Sequence, residues 1–550
     1  MTNTKPEQTR LLIRNIRVTP DAGEAEILEK ARQKMKRAGF ALPTLHFRLY
    51  KKSVDARHRD AVALECVVLA EGTLPPTLLT PEKLNRADAA ILEEEPLCIE
   101  QGTNPMKAPP FIVGMGPAGL FAALLLARNG YAPILTDRGG SVEERAADVE
   151  KFRKTGILNP ESNVQFGAGG AGTFSDGKLM TRIRDPRCAF VLQTLTEFGA
   201  PEEILVRAKP HIGTDLLRGV ISRMLAEIER LGGRLLYHCR TDGIRHTADG
   251  TILVKTSKGD FSAGAVILAP GHSARDTYLS LMEQELVMEP KPISVGVRVE
   301  HLQRDIDRAL YGNFAGHPNL GHAEYALSDT GGKRGVYTFC MCPGGEVVAA
   351  SSEEGMLAVN GMSYHARSLP NANAAVAVSV GVEDLEPVNG SRVVGAIAFQ
   401  RSIERAAYLA GGGSYFAPIM TMGDFLNGKR GSLPTTVQPS YLDGMVRPAD
   451  FETVFPPFVT EALRRGLRAF GKKLHGYDAP EAILTAAETR TSAPLRILRD
   501  PETLCAIGQD GIYPAGEGAG YAGGITSAAV DGIRVSMALM RRFAPEKKNS

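Results

Sequence analysis

The feature that most constrains this chain is a triplet of glycines between an apolar strand and an apolar helix. The motif is Gly114-Met-Gly116-Pro-Ala-Gly119, with strand-like residues 111–113 before it and its helix predicted at 117–129. Gly114 suits a tight turn, Gly116 lets a phosphate approach the main chain, and Gly119 lets the helix pack closely on the sheet. Strand, turn and helix in this order predict the start of a nucleotide-binding βαβ unit.

The residues around this motif predict a bound dinucleotide. Pro117 suits the first helical turn, whose free N–H groups, including that of Ala118, and positive dipole end would face a pyrophosphate. After a second predicted strand at 132–136 comes Asp137, about twenty residues beyond the glycines, where a carboxylate accepts hydrogen bonds from the adenosine ribose. Arg138 follows it and is included as a candidate contact.

A second glycine-rich segment, 511–529, consists of a strand, an acid after a glycine, and a glycine loop that opens a helix. It resembles the closing motif of FAD proteins of the glutathione-reductase type. In that superfamily the acid lies by the ribityl chain and the pyrophosphate. The helix N-terminus points at the flavin pyrimidine edge, where its positive dipole would stabilise the anionic reduced flavin. The resemblance assigns cofactor contacts to Gly516, Glu517, Gly524, Ile525 and Thr526.

A third segment, 265–276 with Gly271, looks like the strand-and-glycine stretch by which these proteins return to the FAD domain. Because the three motifs come in the superfamily's order, we predict non-covalently bound FAD. A second fingerprint of the first kind does not occur, so a separate NAD(P)H domain is not predicted. NAD(P)H is kept as a candidate electron donor.

A closer resemblance rests on four further segments, which are 163–179, 209–215, 339–345 and 488–492. Together they look like the family of largely uncharacterised bacterial FAD-dependent dehydrogenases, or NAD(P)/FAD-dependent oxidoreductases, over nearly the whole chain. The glycine run 167–172 offers successive main-chain N–H groups and room for a flat ring, which favours a loop along the flavin over a bare structural loop. The candidate contacts here are Gln165, Gly167, Gly170, Ser175 and Lys178.

Candidates for binding an anionic substrate or accepting a proton lie in polar or glycine-rich surroundings, and they are His211, Arg298, His365 and Arg490. The competing interpretation is a structural role, since a lone histidine is more often a structural residue than a catalyst. The pair Cys340-Met-Cys342 invites a thiol reaction beside a flavin. However, cysteines two apart in a strand are poorly placed to bridge, and buried cysteine is often a small apolar residue. We therefore favour a packing role for the pair.

The chain is predicted to divide into four parts. The first, 1–95, is a small α+β domain with strands at 10–17, 44–52 and 61–70 and a helix at 24–36, followed by a proline-containing linker at 93–110. The second part, 110–290, is the first part of the FAD-binding domain and contains a predicted β-meander at 234–261. The third, 291–480, is a substrate or interface domain, and the fourth, 481–550, completes the FAD-binding domain.

The predicted fold class is therefore α/β, a Rossmann-like FAD-binding domain with a β-rich α+β substrate domain inserted and a small N-terminal α+β domain. Charge and apolar content limit the binding partners that can be expected. Lysine plus arginine number 64 against 62 acidic residues, a net +2 that gives no electrostatic reason to expect nucleic acid. The first ten residues lack the apolar run of a signal peptide, and no apolar stretch is long enough to span a bilayer. We expect a cytoplasmic protein without membrane contact.

Seven scattered cysteines predict no disulfide framework, and no metal-ligand spacing occurs, so no metal site is predicted.

The predicted activity is two-electron hydride transfer at flavin N5 on a small-molecule substrate, with the oligomeric state left open. A flavin monooxygenase is the enzymatic alternative, but Ala269-Pro-Gly271 stands where an Asp-Gly motif with a following arginine is expected. The non-enzymatic alternative is a flavin-stabilised binding or regulatory protein that docks a partner through residues 1–95.

Overall fold

The computed structural model describes residues 9–40, 44–93 and 97–545. The expectation that no signal peptide begins the chain falls mostly on residues 1–8, and the predicted linker includes 94–96; both stretches lie outside the described residues. The chain forms two compact units. The first contains Met1–Cys98, Pro201–His211 and Asp307–Ala323, and the second contains Ile99–Ala200, Ile212–Ile306 and Glu324–Ser550. The predicted division into four parts remains a prediction.

The helices and strands are numbered along the described chain. The helices are α1 (Glu24–Arg37), α2 (Pro81–Arg86), α3 (Pro117–Arg128), α4 (Val142–Thr155), α5 (Arg187–Glu197), α6 (Thr214–Arg230), α7 (Arg275–Glu283), α8 (Gln303–Tyr311), α9 (Arg392–Ala410), α10 (Met422–Leu426), α11 (Pro457–Lys473) and α12 (Ile525–Arg542). The strands of the first half are β1 (Thr9–Val18), β2 (Leu45–Asp55), β3 (Ala63–Gly72), β4 (Ala89–Ile91), β5 (Asn104–Pro105), β6 (Pro110–Val113), β7 (Ile134–Thr136), β8 (Arg234–Leu236), β9 (Thr241–His246), β10 (Ile252–Thr256), β11 (Gly259–Ala263) and β12 (Ala265–Leu268). Those of the second half are β13 (Met288–Pro290), β14 (Ile293–Leu302), β15 (Ser328–Asp329), β16 (Val336–Cys342), β17 (Glu346–Ala349), β18 (Val359–Met362), β19 (Asn371–Val380), β20 (Ala417–Thr421), β21 (Val446–Pro448), β22 (Ile483–Glu488), β23 (Leu495–Ile497), β24 (Ile512–Pro514) and β25 (Phe543–Ala544). Among these helices of the described chain, none is long and apolar enough to cross a membrane.

The first unit is built on a four-stranded antiparallel sheet in the order β2-β3-β1-β4, with α1 packed against it. Helix α1 buries Ile27, Ala31 and Met35, spaced four apart so that they share one face. The predicted strands and helix of this region are confirmed within one to three residues at each end. Lys52 at the edge strand exchanges main-chain hydrogen bonds with Val206 and Ala208, which attaches segment 201–211 to this unit.

The second unit contains a five-stranded parallel sheet in the order β24-β12-β6-β7-β8. The predicted helix after the first strand is confirmed, and α3 is buried from Ala118 to Ala127 because α12 covers it. A Cβ added to Gly532 of α12 would lie 2.1 Å from the carbonyl oxygen of Ala118, so the two helices pack at main-chain distance. This sheet confirms the α/β class of the unit.

The predicted meander at 234–261 is wrong in its first strand. Strand β8 pairs in parallel with β7 and belongs to the five-stranded sheet, whereas β9, β10 and β11 form a separate antiparallel sheet. The prediction assumed that strands adjacent in sequence pair with one another, which holds for roughly two thirds of them. A short loop after β8 leads out of the parallel sheet, and a strand of three residues carries too little pattern to reveal this.

The second unit also contains a seven-stranded sheet, in the order β15-β16-β19-β14-β22-β20-β21. Strands β14 and β19 are buried along nearly their whole length. Both α11 and β18 pack against these two strands. The sheet includes β22, although residues after 480 were expected in the completing part of the FAD-binding domain.

A buried ionic cluster joins the two halves of this unit. Glu404 of α9 receives bidentate hydrogen bonds from Arg275 of α7, at 2.7 and 2.8 Å, and from Arg490, just after β22, at 2.8 and 2.9 Å. Gln400 and Glu353 accept further bonds from Arg275. Burial alone would raise the pKa of Glu404, but the two guanidinium groups hold it well below its usual range. The carboxylate of Glu404 is therefore ionised, and together with Glu353, which lies 2.9 Å from Arg275 and 3.8 Å from Arg490, it balances the charges of the two arginines.

We expect Glu404→Gln to lower the free energy of unfolding by about 3–5 kcal/mol, because two buried arginines would lose their shared counter-charge. Thermal unfolding of the purified variant would report this as a clear fall in the melting midpoint. The matched control is Glu227→Gln, which removes an exposed partner of Arg230 and should leave the midpoint almost unchanged. Equal midpoints for both variants would contradict the assignment.

Candidate cofactor site

The nucleotide loop after β6 has the geometry that its glycines predict. Gly114 has a φ of 100°, and its N–H donates to the carbonyl of Thr136 at 2.8 Å. A Cβ on Gly114 would lie 2.1 Å from the carbonyl oxygen of Ala269, and one on Gly119 would lie 1.9 Å from that of Gly114. Neither position accepts a side chain, because rigid backbone atoms already occupy the space.

The glycine run at 167–172 lies directly on this loop. The N–H of Gly169 donates to the carbonyl of Met115 at 2.9 Å. A Cβ on Gly170, whose φ is 66°, would lie only 2.7 Å from the Cα of Gly116. Two segments about fifty residues apart in sequence therefore meet through main chain alone.

Asp137 anchors the loop from the end of β7. One carboxylate oxygen accepts from the N–H of Met115 and the other from that of Gly139, both at 2.9 Å. A carboxylate oxygen has a second lone pair, so each oxygen could still accept from a ribose hydroxyl.

Arg138, the residue after Asp137, makes two ion pairs and one contact with an aromatic ring. It is paired with Glu161 at 2.8 Å and Asp276 at 2.7 Å, and it lies over the ring of Phe166, 4.5 Å from its centre. Its charge is thus neutralised within the protein.

Arg145 holds the glycine run in place, and the sequence did not single it out. It is fully buried in α4 and donates to the carbonyls of Asn163, Val164, Ala168 and Gly170 at 2.8–2.9 Å. Burial lowers the pKa of Arg145 to about 10. A charged residue on a helix with many charges gives no pattern that distinguishes a buried member, so only the tertiary contacts identify it.

The predicted polar contacts of segment 163–179 are engaged with the protein itself. Gln165 donates to the carbonyl of Ala350 at 3.2 Å and accepts from Ser273 at 3.1 Å. Ser175 donates to the carbonyl of Gly172 at 2.7 Å and accepts from the N–H of Gly177 at 3.1 Å. These bonds determine the shape of the loop.

The closing glycine segment meets the start of α3. Gly516 donates its N–H to Asp531 at 2.8 Å, and Asp531 is paired with Arg499 at 2.7 Å. A Cβ on Gly516 would lie 2.7 Å from that of Ala118, and one on Gly518 would lie 2.5 Å from the main-chain nitrogen of Gly271. The three motifs that the sequence identified therefore converge at one edge of the parallel sheet.

Helix α12 begins at this convergence. Gly524 caps it with a φ of 136°, the side chain of Ile525 lies against Gly172, and Thr526 donates to the carbonyl of Leu179 at 2.7 Å. A Cβ on Gly523 or Gly524 would find no heavy atom within 4 Å. The free N–H groups of the first turn can therefore be approached by a ligand.

Two ionisable groups flank the start of α12. Burial raises the pKa of Glu517 to about 7, although the charge of Lys291 and the N–H of Gly524 lower it. Lys178 donates to the carbonyl of Met341. Burial alone would lower the pKa of Lys178, but Glu324 and Asp176, each with a carboxylate oxygen 3.8 Å away, raise it above its usual value. Lys178 therefore carries a positive charge into the site.

The residues proposed from sequence as catalytic are spread across the molecule. Arg298 is fully buried, and all five N–H donors of its guanidinium are used, two by Glu488 and one each by Asn373, Asn360 and the carbonyl of Cys340. No donor is left for a substrate in this arrangement.

The other three lie elsewhere. Arg490 belongs to the Glu404 cluster. His365 has its Nδ1 3.0 Å from the carbonyl oxygen of Ile212, and its main-chain N–H donates to Asp215. His211 is buried at the end of segment 201–211 in the first unit. A catalytic role for these four residues stays a prediction.

A cavity of about 250 Å³ lies behind the glycine-rich segment in the second unit. Val164, Phe174, Val348 and Met362 are among its apolar lining residues, and Arg153, Arg218 and Glu346 are among its polar ones. Its wall is thus shared by the cofactor-site loop and the β17–β18 hairpin.

Comparison with known proteins identifies the cofactor and the protein family. Residues 292–491 match the family model described as "FAD-dependent protein, C-terminal domain-like". FAD is therefore the cofactor, and the convergence of the glycine motifs, with open space around Gly523 and Gly524, fits it. A protein of Clostridium beijerinckii (strain ATCC 51743 / NCIMB 8052), described as an uncharacterized protein, is 46% identical over 498 residues, which is 90% of this chain and 92% of the relative. The chain belongs to the same family as this relative.

Solved structures are more distant. The crystal structure of CtdE in complex with FAD is 12% identical, covers 78% of this chain and 84% of CtdE, and has a TM-score of 0.31. NikD, an amino acid oxidase of nikkomycin biosynthesis, is 11% identical, covers 81% of this chain and 96% of its own, and has a TM-score of 0.32. With TM-scores this low, neither supports an argument about this chain.

We expect Gly170→Ala to lose most of its bound FAD, because the new Cβ would push the glycine run away from Gly116. The absorbance ratio of flavin to protein after purification measures this directly. The control is Gly156→Ala, which tests a positive φ by itself: its φ of 67° costs about 1–2 kcal/mol of left-handed strain, and its Cβ would meet nothing within 4 Å. Gly170 differs from it in two ways, the contact with Gly116 and a ψ of −175°, which with its φ of 66° is a conformation essentially confined to glycine. Equal FAD content in the two variants would contradict the close approach.

A second prediction concerns the FAD-free protein and Glu517. Since the folded-state pKa is about 7 and the ordinary value is 4.5, the folded state binds more protons between these pH values, and stability falls as pH rises through this window. Relative to Glu517→Gln, the wild-type apoprotein should lose about 1–3 kcal/mol of unfolding free energy across it. Melting midpoints at a series of pH values measure the difference. A difference that does not vary with pH would contradict the raised pKa.

Proposed function

We propose that this protein is an FAD-dependent oxidoreductase, a dehydrogenase or reductase that transfers hydride through flavin N5 to or from a small-molecule partner. The observation that carries the proposal is the position of the α12 N-terminus. Its first turn, with Ile525 and Thr526, lies against the glycine-rich segment at Gly172 and Leu179. Positive partial charge at a helix start favours an anion, which is the form that a reduced flavin takes.

The parts of the cofactor would be held by separate motifs. The main chain around Gly116 would take the pyrophosphate, Asp137 the ribose, and the glycine run at 167–172 the ring system. The segment from Gly516 to Thr526 would close the site. When bound, FAD supplies the two-electron chemistry, and the chain supplies position, charge and protons.

Glu517 would hold or release a proton beside the bound cofactor. A group whose pKa is about 7 can hold or release a proton at neutral pH, which is the property that a general acid or base needs. Lys291 and the N–H of Gly524 are the groups that favour its ionised form. Lys178 would add a fixed positive charge on the other side of the α12 start.

The small-molecule partner is supported by the cavity next to the glycine-rich segment. Its volume of about 250 Å³ suits a compact molecule, and it combines apolar walls with Arg153, Arg218 and Glu346. The non-catalytic alternative, a flavin-stabilised binding protein, would need no group that titrates near neutral pH at the cofactor. Glu517 favours the enzyme over that alternative.

The test is the visible absorption spectrum of the purified protein, followed by anaerobic addition of NADH and then NADPH. Bleaching of the oxidised-flavin band faster than that of free FAD would establish a reductase. A band that neither nucleotide bleaches, but that dithionite does, would indicate a dehydrogenase reduced by its own substrate. A bound flavin that resists dithionite as well would contradict the proposal.

A further inference from the structure

Strand β16 ends in an irregular segment that contains two cysteines. Phe339 pairs with Ala375 and Cys342 with Asn373, so β16 has one more residue than β19 between these pairs and forms a bulge. Cys340, inside the bulge, has a φ of 46°, a left-handed conformation that is rare for a residue with a side chain. Such conformations persist where the surroundings impose them, and they cluster at functional sites.

The bulge changes the relation between the two sulfur atoms. In a regular strand, side chains two apart are parallel and about 7 Å apart, too far for their sulfur atoms to meet. Here the thiol of Cys342 donates to the main-chain carbonyl oxygen of Cys340 at 3.4 Å, so the Cys342 sulfur lies against the Cys340 residue. Both cysteines are free, Cys342 is buried, and Cys340 is half-buried. A disulfide between residues two apart requires a departure from regular strand geometry, and the bulge supplies one.

Charged groups around the pair favour a thiolate at Cys340. Arg298 donates to the carbonyl of Cys340, and Lys178 donates to that of Met341. The hydrogen bond from Cys342, together with the charges of Arg298 and Lys178, lowers the pKa of Cys340, whereas burial and Asp176 oppose this. The same contact raises the pKa of Cys342, so the proton stays on Cys342.

The pair also belongs to the cofactor site. Lys178 comes from the glycine-rich segment and touches Met341, between the two cysteines. Leu179, the next residue, accepts a hydrogen bond from Thr526 at 2.7 Å, so one segment contacts both the cysteine bulge and the start of α12. The thiols therefore lie beside groups that would hold the flavin.

From this geometry we propose that Cys340 and Cys342 form a redox-active dithiol that exchanges electrons with the flavin. The proposal rests on the oxidoreductase function proposed above. In the oxidising direction, an S–S bond would form between the Cys340 thiolate and the Cys342 thiol, and two electrons together with the Cys342 proton would pass to the oxidised flavin. In the reverse direction, two electrons and one proton would return from the reduced flavin, the S–S bond would break, and the proton would end on Cys342. This redox role is the alternative to the packing role that the sequence favours for this pair.

The first test measures the thiol–disulfide equilibrium directly. The holoprotein is equilibrated anaerobically in buffers of reduced and oxidised dithiothreitol, quenched in acid, alkylated and digested with trypsin. Both cysteines fall in one tryptic peptide, 335–367, so an internal disulfide appears as a peptide that resists alkylation and is lighter by two hydrogens. We expect a reversible transition of this peptide, with those containing Cys239 and Cys505 remaining alkylated throughout. A peptide that stays fully alkylated at every ratio would overturn the proposal.

The second test uses single variants and two readouts. In Cys342→Ser, Cys340 loses its thiol partner, so its alkylation at neutral pH should slow by about tenfold, because the thiolate fraction falls. Anaerobic reduced dithiothreitol should bleach the bound flavin of the wild type at least tenfold faster than that of Cys340→Ser or Cys342→Ser. Cys188→Ser, remote in sequence from the pair, is the control and should behave as the wild type.

The outcomes separate this inference from the proposed function. If a nicotinamide nucleotide or substrate reduces the flavin while the 335–367 peptide never forms a disulfide, the oxidoreductase stands and the dithiol is wrong. If the disulfide cycles with dithiothreitol but the flavin cannot be reduced by any donor, the proposed function is wrong. Equal flavin bleaching by dithiothreitol in the wild type and both cysteine variants would contradict electron exchange between the pair and the flavin.

Discussion

The cofactor site depends on main-chain contact between segments that carry no side chains at the point of contact. Gly170 meets Gly116, and Gly516 meets Ala118, whose Cβ already fills the space between them. A side chain at Gly170 or Gly516 would separate the segments by more than the contact tolerates, since neither main chain nor an alanine Cβ has a rotamer to change. The richness of the chain in glycine is therefore concentrated where three distant stretches must approach a flat, anionic ligand together.

Buried arginines keep these bare segments in place. Arg145 donates to several carbonyls of the glycine run, which supplies the polar partners that the loop cannot obtain from its own backbone. Arg275 and Arg490 share Glu404, and Arg298 is held by Glu488. In each case a guanidinium satisfies acceptors that would otherwise be buried without partners, and its own charge is balanced or spread over carbonyls.

This use of arginine explains why buried arginines are harder to interpret from the sequence than the glycines of the cofactor motifs. A glycine that must have no Cβ is recognisable from its spacing relative to a strand and a helix, as at Gly114 and Gly119. A buried arginine has the same letter as an exposed one, so Arg145 gave no pattern, whereas Arg298 looked like a substrate ligand although its donors are all engaged. The cysteine pair was judged by the geometry of a regular strand, and the bulge at Cys340 removes that premise.

The sequence by itself determined the local elements of the nucleotide-binding unit, the small sheet of the first unit and the order of the FAD motifs, because these follow from short-range periodicity and from glycine's conformational freedom. The tertiary structure alone decided that β8 joins the parallel sheet, that β22 joins the seven-stranded sheet, and that Lys178 contacts the main chain between the two cysteines. Strand pairing and the burial of charge are set by contacts between residues far apart in the chain. Local sequence carries no record of which distant group will neutralise a charge or receive a hydrogen bond.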